Sequence, residues 1–129
     1  MQYQEFVQRV EEQVNVTQPA TDTQRAAENA ITATLETLSE RLTGGETNDL
    51  ASQLPTELQA PLQRTGEEQA EDFSLEEFYE RVAEREGIDI ETARQDASAV
   101  MTVLGLALTP SQLDDVRAQL PEEFNALFR

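Results

Sequence analysis

NDLASQLP (Asn48–Pro55) and DDVRAQLP (Asp114–Pro121) are one phrase written twice. The offset is 66 residues, 114 minus 48, and it extends in both directions. Upstream, Ile31, Leu35, Leu38 and Leu42 fall on Ala97, Met101, Leu104 and Leu108; downstream, Leu58 and Leu62 fall on Phe124 and Phe128. Nearer the start, EFVQRV (Glu5–Val10) matches EFYERV (Glu77–Val82) at an offset of 72, 77 minus 5. The first copy therefore carries a longer connection after its first helix, NVTQPATDTQ. The chain reads as two tandem modules, 1–63 and 73–129, joined by a polar linker at 64–72.

Each module reads as helix throughout. Tyr3, Phe6, Val7, Val10 and Val14 recur at the spacing of one apolar helical stripe. So do Ala27, Ile31, Leu35, Leu38 and Leu42, and in the second copy Ala93, Ala97, Val100, Met101, Leu104 and Leu108. Ser74 with Glu77 predicts a capping box, with Phe73 and Phe78 as its hydrophobic staple. Asp89 starts the next helix, and Gly87 is placed to stop the one before it. TGGE (Thr43–Glu46) and TPSQ (Thr109–Gln112) also read as capping boxes, with Pro110 at the favourable first helical position. Proline disfavours helical geometry in the residue before it, so Leu54 and Leu120 end their helices. A fourth helix is expected after each of these corners, through PTELQAPL and PEEFNALF. Gln53 and Gln119 are expected to satisfy carbonyls freed at the corners. No strand pattern is present. The fold class is all-α: two modules of about four helices each, pseudo-twofold related and packed into one bundle-like domain.

The paired EFVQRV and EFYERV, the Ala- and Leu-spaced second helices, the two Leu-Pro corners and the terminal FNALF carry a resemblance. The chain resembles the helical proteins grouped as domain of unknown function 2267 over nearly its whole length. The resemblance implies an all-helical two-repeat fold and supplies no catalytic residue.

Composition narrows the setting. The chain has 129 residues, 26 of them acidic and 9 basic, for a net charge of −17. Every basic residue is Arg; Lys does not occur. Lys is a good helix former and is ordinarily common on helical surfaces. Two readings compete for this absence beside such an acid excess: an acidic mesophilic protein that lacks Lys by chance and, the favoured one, a protein adapted to molar salt, as in salt-loving archaea. There the Debye length is about 3 Å and repulsion between carboxylates is screened, whereas in dilute buffer the same charge opposes compaction. Phosphate backbones bind basic patches, so neither nucleic acid nor an anionic membrane is an expected partner. No apolar run approaches the roughly 20 residues of a membrane span. The amphipathic, acidic start of the chain does not read as a signal peptide. A cytoplasmic location is expected, with diffuse cations from a salt-rich solvent around the protein.

The residues also limit the chemistry. Cys and His are absent, which removes the usual zinc and copper sites and the common catalytic triads. Without Lys there is no Schiff base and no phosphate-binding P-loop. Carboxylate doublets remain: Glu11–Glu12, Glu67–Glu68, Glu76–Glu77, Asp114–Asp115 and Glu122–Glu123. Neighbours on a helix diverge by about 100 degrees, so they read as solvated faces rather than paired ligands. Asp49 and Asp115 recur at matching places, either as a paired site or as first-turn acids that favour the helix dipole. Tyr3 and Tyr79 read as core-edge residues.

One asymmetry stands out. ASAVMTVLGLAL is apolar nearly all round, while its counterpart ITATLETLSERL keeps polar positions; Val103 and Leu106 replace Thr37 and Glu40. A helix apolar on every side needs cover on every side. Val103 and Leu106 are thus candidates either for contact between the modules or for a partner. The expected function is a non-enzymatic helical interaction or scaffold protein, with no cofactor or metal, an unknown protein partner and a possible homodimer. The alternative is a small-molecule or ion-binding module that uses the groove between the repeats.

Overall fold

A computed structural model gives the fold and describes residues 1–17, 23–62 and 70–128. It is all-helical; no strand occurs among the described residues. Among the described residues six α-helices appear in chain order: α1 (Tyr3–Thr17), α2 (Thr23–Arg41), α3 (Gly44–Ser52), α4 (Leu75–Glu86), α5 (Ile90–Ala107) and α6 (Pro110–Ala118). Short 3-10 stretches follow α3 (Thr56–Leu58 and Ala60–Leu62) and α6 (Glu122–Phe128). The fourth helices expected after the corners are therefore 3-10 turns. Pro55 itself stays extended (φ −56°, ψ 152°), and Leu58 N–H closes on the Pro55 carbonyl at 2.9 Å. Most of the polar linker, much of the connection after α1 and the Glu67–Glu68 doublet lie outside the described residues.

The two longest helices, α2 and α5, form the middle of the molecule. They pack on each other. α1 lies against both, α4 lies against both, and α3 touches α6. The stripes read from the sequence supply the core: Phe6, Val10, Ala27, Leu35, Leu38 and Leu42 from the first half, and Phe78, Val82, Ala93, Ala97, Met101 and Leu104 from the second, are all fully buried. Each large apolar side chain so buried contributes roughly 1.5–3 kcal/mol. The α5 helix also meets the terminal 3-10 stretch, so it has neighbours on most sides.

Local signals shape the helix ends. Gly87 adopts the left-handed conformation (φ 70°, ψ 38°) and its N–H bonds to the Ala83 carbonyl, ending α4. Only glycine takes that conformation cheaply. Ser74 accepts from the Glu77 N–H, and Phe73 and Phe78 close the staple with ring centroids 6.5 Å apart. The box at Ser74 is only half formed, however, because the Glu77 carboxylate binds Arg81 instead. The N–H of Leu75 is taken by Glu123 Oε1 at 3.2 Å, from the far end of the chain.

Arginines join the halves. Arg41, only 7% exposed, donates to the Phe73 carbonyl at 3.1 Å and lies over the Phe73 and Phe124 rings. Arg81 stacks 4.0 Å above the Phe73 centroid and reaches Glu40 across the interface and Glu71 beside it, both at 3.2 Å. Arg85 meets the same Glu40 at 2.8 Å and the Thr37 hydroxyl at 2.6 Å. A guanidinium offers a planar fork that stacks and bonds several acceptors at once, which an ammonium does not. Burial alone would raise the Glu40 carboxyl, but the hydrogen bonds and charges of Arg85 and Arg81 outweigh it and hold it below its ordinary value.

Candidate functional site

The α3–α6 contact begins with a cap. Thr43 is extended (φ −65°, ψ 156°), and its hydroxyl accepts from the Glu46 N–H at 3.2 Å. The sequence predicts that the Glu46 carboxylate returns to the Thr43 N–H. Instead Gln119, at the end of α6, takes that N–H on its Oε1 at 3.1 Å and donates Nε2 to the Thr43 hydroxyl at 3.3 Å. Gln119 thus closes a cap in the other half, rather than serving its own corner as expected. Gln53 does not serve its corner either; it donates to Ser52, and Gln59 satisfies the Leu54 carbonyl at 3.2 Å. At the equivalent start of α6 the full box forms locally: Gln112 Oε1 accepts from the Thr109 N–H at 3.1 Å, and Thr109 Oγ1 accepts from the Gln112 N–H at 3.3 Å.

Relieved of capping, the Glu46 side chain faces a groove. The groove encloses about 150 Å³ and is lined by Glu46, Asp49, Leu50 and Gln53 from the α3 side and by Gln112, Asp115 and Val116 from α6. Asp49 and Asp115, the two acids that recur in the sequence, are brought to one cavity. Leu50 and Val116 are buried. Burial first, then the charges of Asp115 and Asp49, push the Glu46 carboxyl above its ordinary value. Glu46 is the half-buried member of the three, whereas Asp49 and Asp115 are exposed. Among the described residues, no group of three or more acidic side chains is disposed to hold a metal ion.

A family model described as an uncharacterized conserved protein, DUF2267, matches residues 3–127. The chain belongs to the DUF2267 family. No curated protein matches it. The family description names no reaction, so the site of this DUF2267 chain is read from its own chemistry.

The other residues singled out by sequence are dispersed. Val103 is fully buried, whereas Leu106 is 60% exposed, so the structure separates the pair. Thr37, at the position matching Val103, is fully buried too, and so is Thr34. The polar face read into α2 is therefore partly interior. The Thr37 hydroxyl tolerates burial because it donates to the Ala33 carbonyl at 2.8 Å and accepts from Arg85. The carboxylate doublets diverge: Glu76 binds Arg94 at 2.8 Å, while Glu77 turns to Arg81. Tyr3 donates to Glu28 at 3.0 Å, and Tyr79 is buried with the Arg94 guanidinium 5.1 Å from its ring centroid. Leu120 is only half-buried, unlike its counterpart Leu54. Sequence reading missed two features: the Gln119 cap, and the pairing of Glu86 with Asp96 across α4 and α5. An acid at a core-facing position of α5, between Ala93 and Val100, is the signal that was available for the second.

Among the described residues, no helix is long and apolar enough to cross a membrane.

Proposed function

We propose that the chain is a duplicated helical module, cytoplasmic in a salt-rich cell, that works as a non-enzymatic interaction protein and receives a basic side chain of a protein partner in the α3–α6 groove. The observation that carries the reading is the groove itself. Glu46, Asp49 and Asp115 surround it, while Leu50 and Val116 offer apolar surface to an aliphatic stem. A guanidinium or ammonium on a short alkyl chain matches that lining in charge and shape. Glu46 is half-buried, so concentrated salt weakens its part of the contact less than it weakens surface pairs.

The duplication has support from the helix contacts. Exchanging α1 with α4, α2 with α5 and α3 with α6 maps α1–α2 onto α4–α5, and α2–α4 onto α1–α5. The groove then lies on the proposed twofold, with Asp49 facing Asp115. The salt adaptation has support from the net charge of −17 and the absence of Lys.

A second reading, a small-molecule or ion-binding module, uses the same groove and is favoured by its modest volume. One experiment separates the two. The Gln53 and Gln112 side-chain amides are followed by NMR in molar KCl during titration with methylguanidinium and with a short Arg-containing peptide. The interaction reading expects the peptide to bind at least tenfold more tightly than the free cation, and both to be lost in the double variant D49N/D115N. Equal binding of the two probes favours the small-molecule reading. Unmoved amides, or shifts that persist in the double variant, refute both.

A further inference from the structure

The α4–α5 hairpin turns at Gly87, Ile88 and Asp89, and two acids meet inside it. Asp96 of α5 is 4% exposed. Glu86 ends α4, and its Oε2 is cut off from water with no donor in reach among the described residues. Asp96 acts on Glu86 through a hydrogen-bonding contact and through its charge. Carboxylates are acceptors only, so a hydrogen bond between two of them requires a proton on one. That proton also accounts for the otherwise orphaned Oε2.

We infer that Glu86 and Asp96 share one proton across the hairpin, and that this proton clamps α4 to α5, making the stability of the pair proton-dependent. Among the described residues, these ion pairs around the hairpin run to other groups. On α4, Arg85 is turned to Glu40 and Thr37 of α2. On α2, Glu36 and Glu40 face Arg85. On α5, Arg94 is engaged by Glu76 and Glu91. On α1, which packs against α5, Arg9 is held by Glu5. The described charge that acts on Glu86 is that of Asp96.

Burial first, then the hydrogen bond and charge of Asp96, push the Glu86 carboxyl up to about 9 from an ordinary 4.5. Its folded value lies above its unfolded value, so folding takes up a proton between the two. The contribution is fully present below about 4.5 and is lost as pH climbs toward about 9. This is the opposite of the usual salt-bridged carboxylate, which fails in acid.

The test compares the wild type with Glu86→Gln. Glutamine copies the protonated acid in shape and donates to Asp96 at every pH. Self-repulsion of the acidic surface gives both proteins the same background slope, so the difference isolates this site. The ratio of their folding constants, variant over wild type, is expected to rise about tenfold per pH unit between about pH 6 and 8, as linkage of one proton requires. A ratio that does not change with pH overturns the inference. Infrared spectroscopy of the wild type gives a reading that does not depend on the variant folding. A protonated carboxyl C=O band at pH 7 is expected, and its absence overturns the inference equally.

Discussion

Replacing Val103 by alanine and Leu106 by glutamine tests whether the apolar excess of α5 belongs to the interior or to a partner. Both residues send the same signal in the sequence, yet Val103 is fully buried and Leu106 is 60% exposed. V103A removes two buried carbons, about 0.8 kcal/mol each by transfer, and leaves a cavity that the neighbouring helices fill only in part. The expected cost is about 2–3 kcal/mol, a large share of the stability of a domain this size. L106Q removes an exposed side chain at a helical position where glutamine is nearly as good a helix former as leucine, so its cost stays within about 0.5 kcal/mol. Glutamine is preferable to glutamate here because a negative charge in the last turn of α5 would oppose the helix dipole. The assay is equilibrium unfolding in urea at constant molar KCl, followed by circular dichroism. Guanidinium chloride would add the ions that screen the acidic surface and blur the comparison. With a urea slope of about 1–3 kcal/mol per molar, V103A should lower the midpoint by about 1 M or more at unchanged slope. A V103A cost below about 0.5 kcal/mol, or an L106Q cost equal to that of V103A, would refute the assignment of these two positions.

Two further outcomes follow from the same structure. Q119A strips both hydrogen bonds from Thr43 and should cost about 0.5–2 kcal/mol in the urea assay, the range of a lost helix cap, while Q53A should be nearly silent; equal costs would contradict the asymmetric cap. As salt falls from molar to millimolar, repulsion among the carboxylates lengthens its reach and helix content should drop cooperatively. A dichroism spectrum unchanged by dialysis into salt-free buffer would remove the salt adaptation.

The stripes, the Leu-Pro corners and the Gly87 stop were legible because each is local. A helix of period 3.6 marks its buried face along the chain, and a proline or a left-handed glycine acts on its immediate neighbours. The candidate site was legible only in pieces. Asp49 and Asp115 stood out as a recurring pair, but nothing in their spacing said that α3 and α6 would touch. Glu46 was read as the partner of Thr43 because the capping box is a sequence pattern. It faces the groove because a glutamine 76 residues away reaches Thr43 first.

The sequence by itself determined the α-helical stripes, the Gly87 stop, the repeated phrasing and the acidic, lysine-free composition, since these depend on a residue's own chemistry and its neighbours within a turn or two. The tertiary structure alone decided which polar groups meet: Gln119 on Thr43, Arg81 and Arg85 on Glu40, Glu86 on Asp96, and three carboxylates around one groove. Hydrogen bonds and charges act over a few ångströms in space whatever the distance along the chain, so those pairings exist only once α2 and α5 have brought the two halves together.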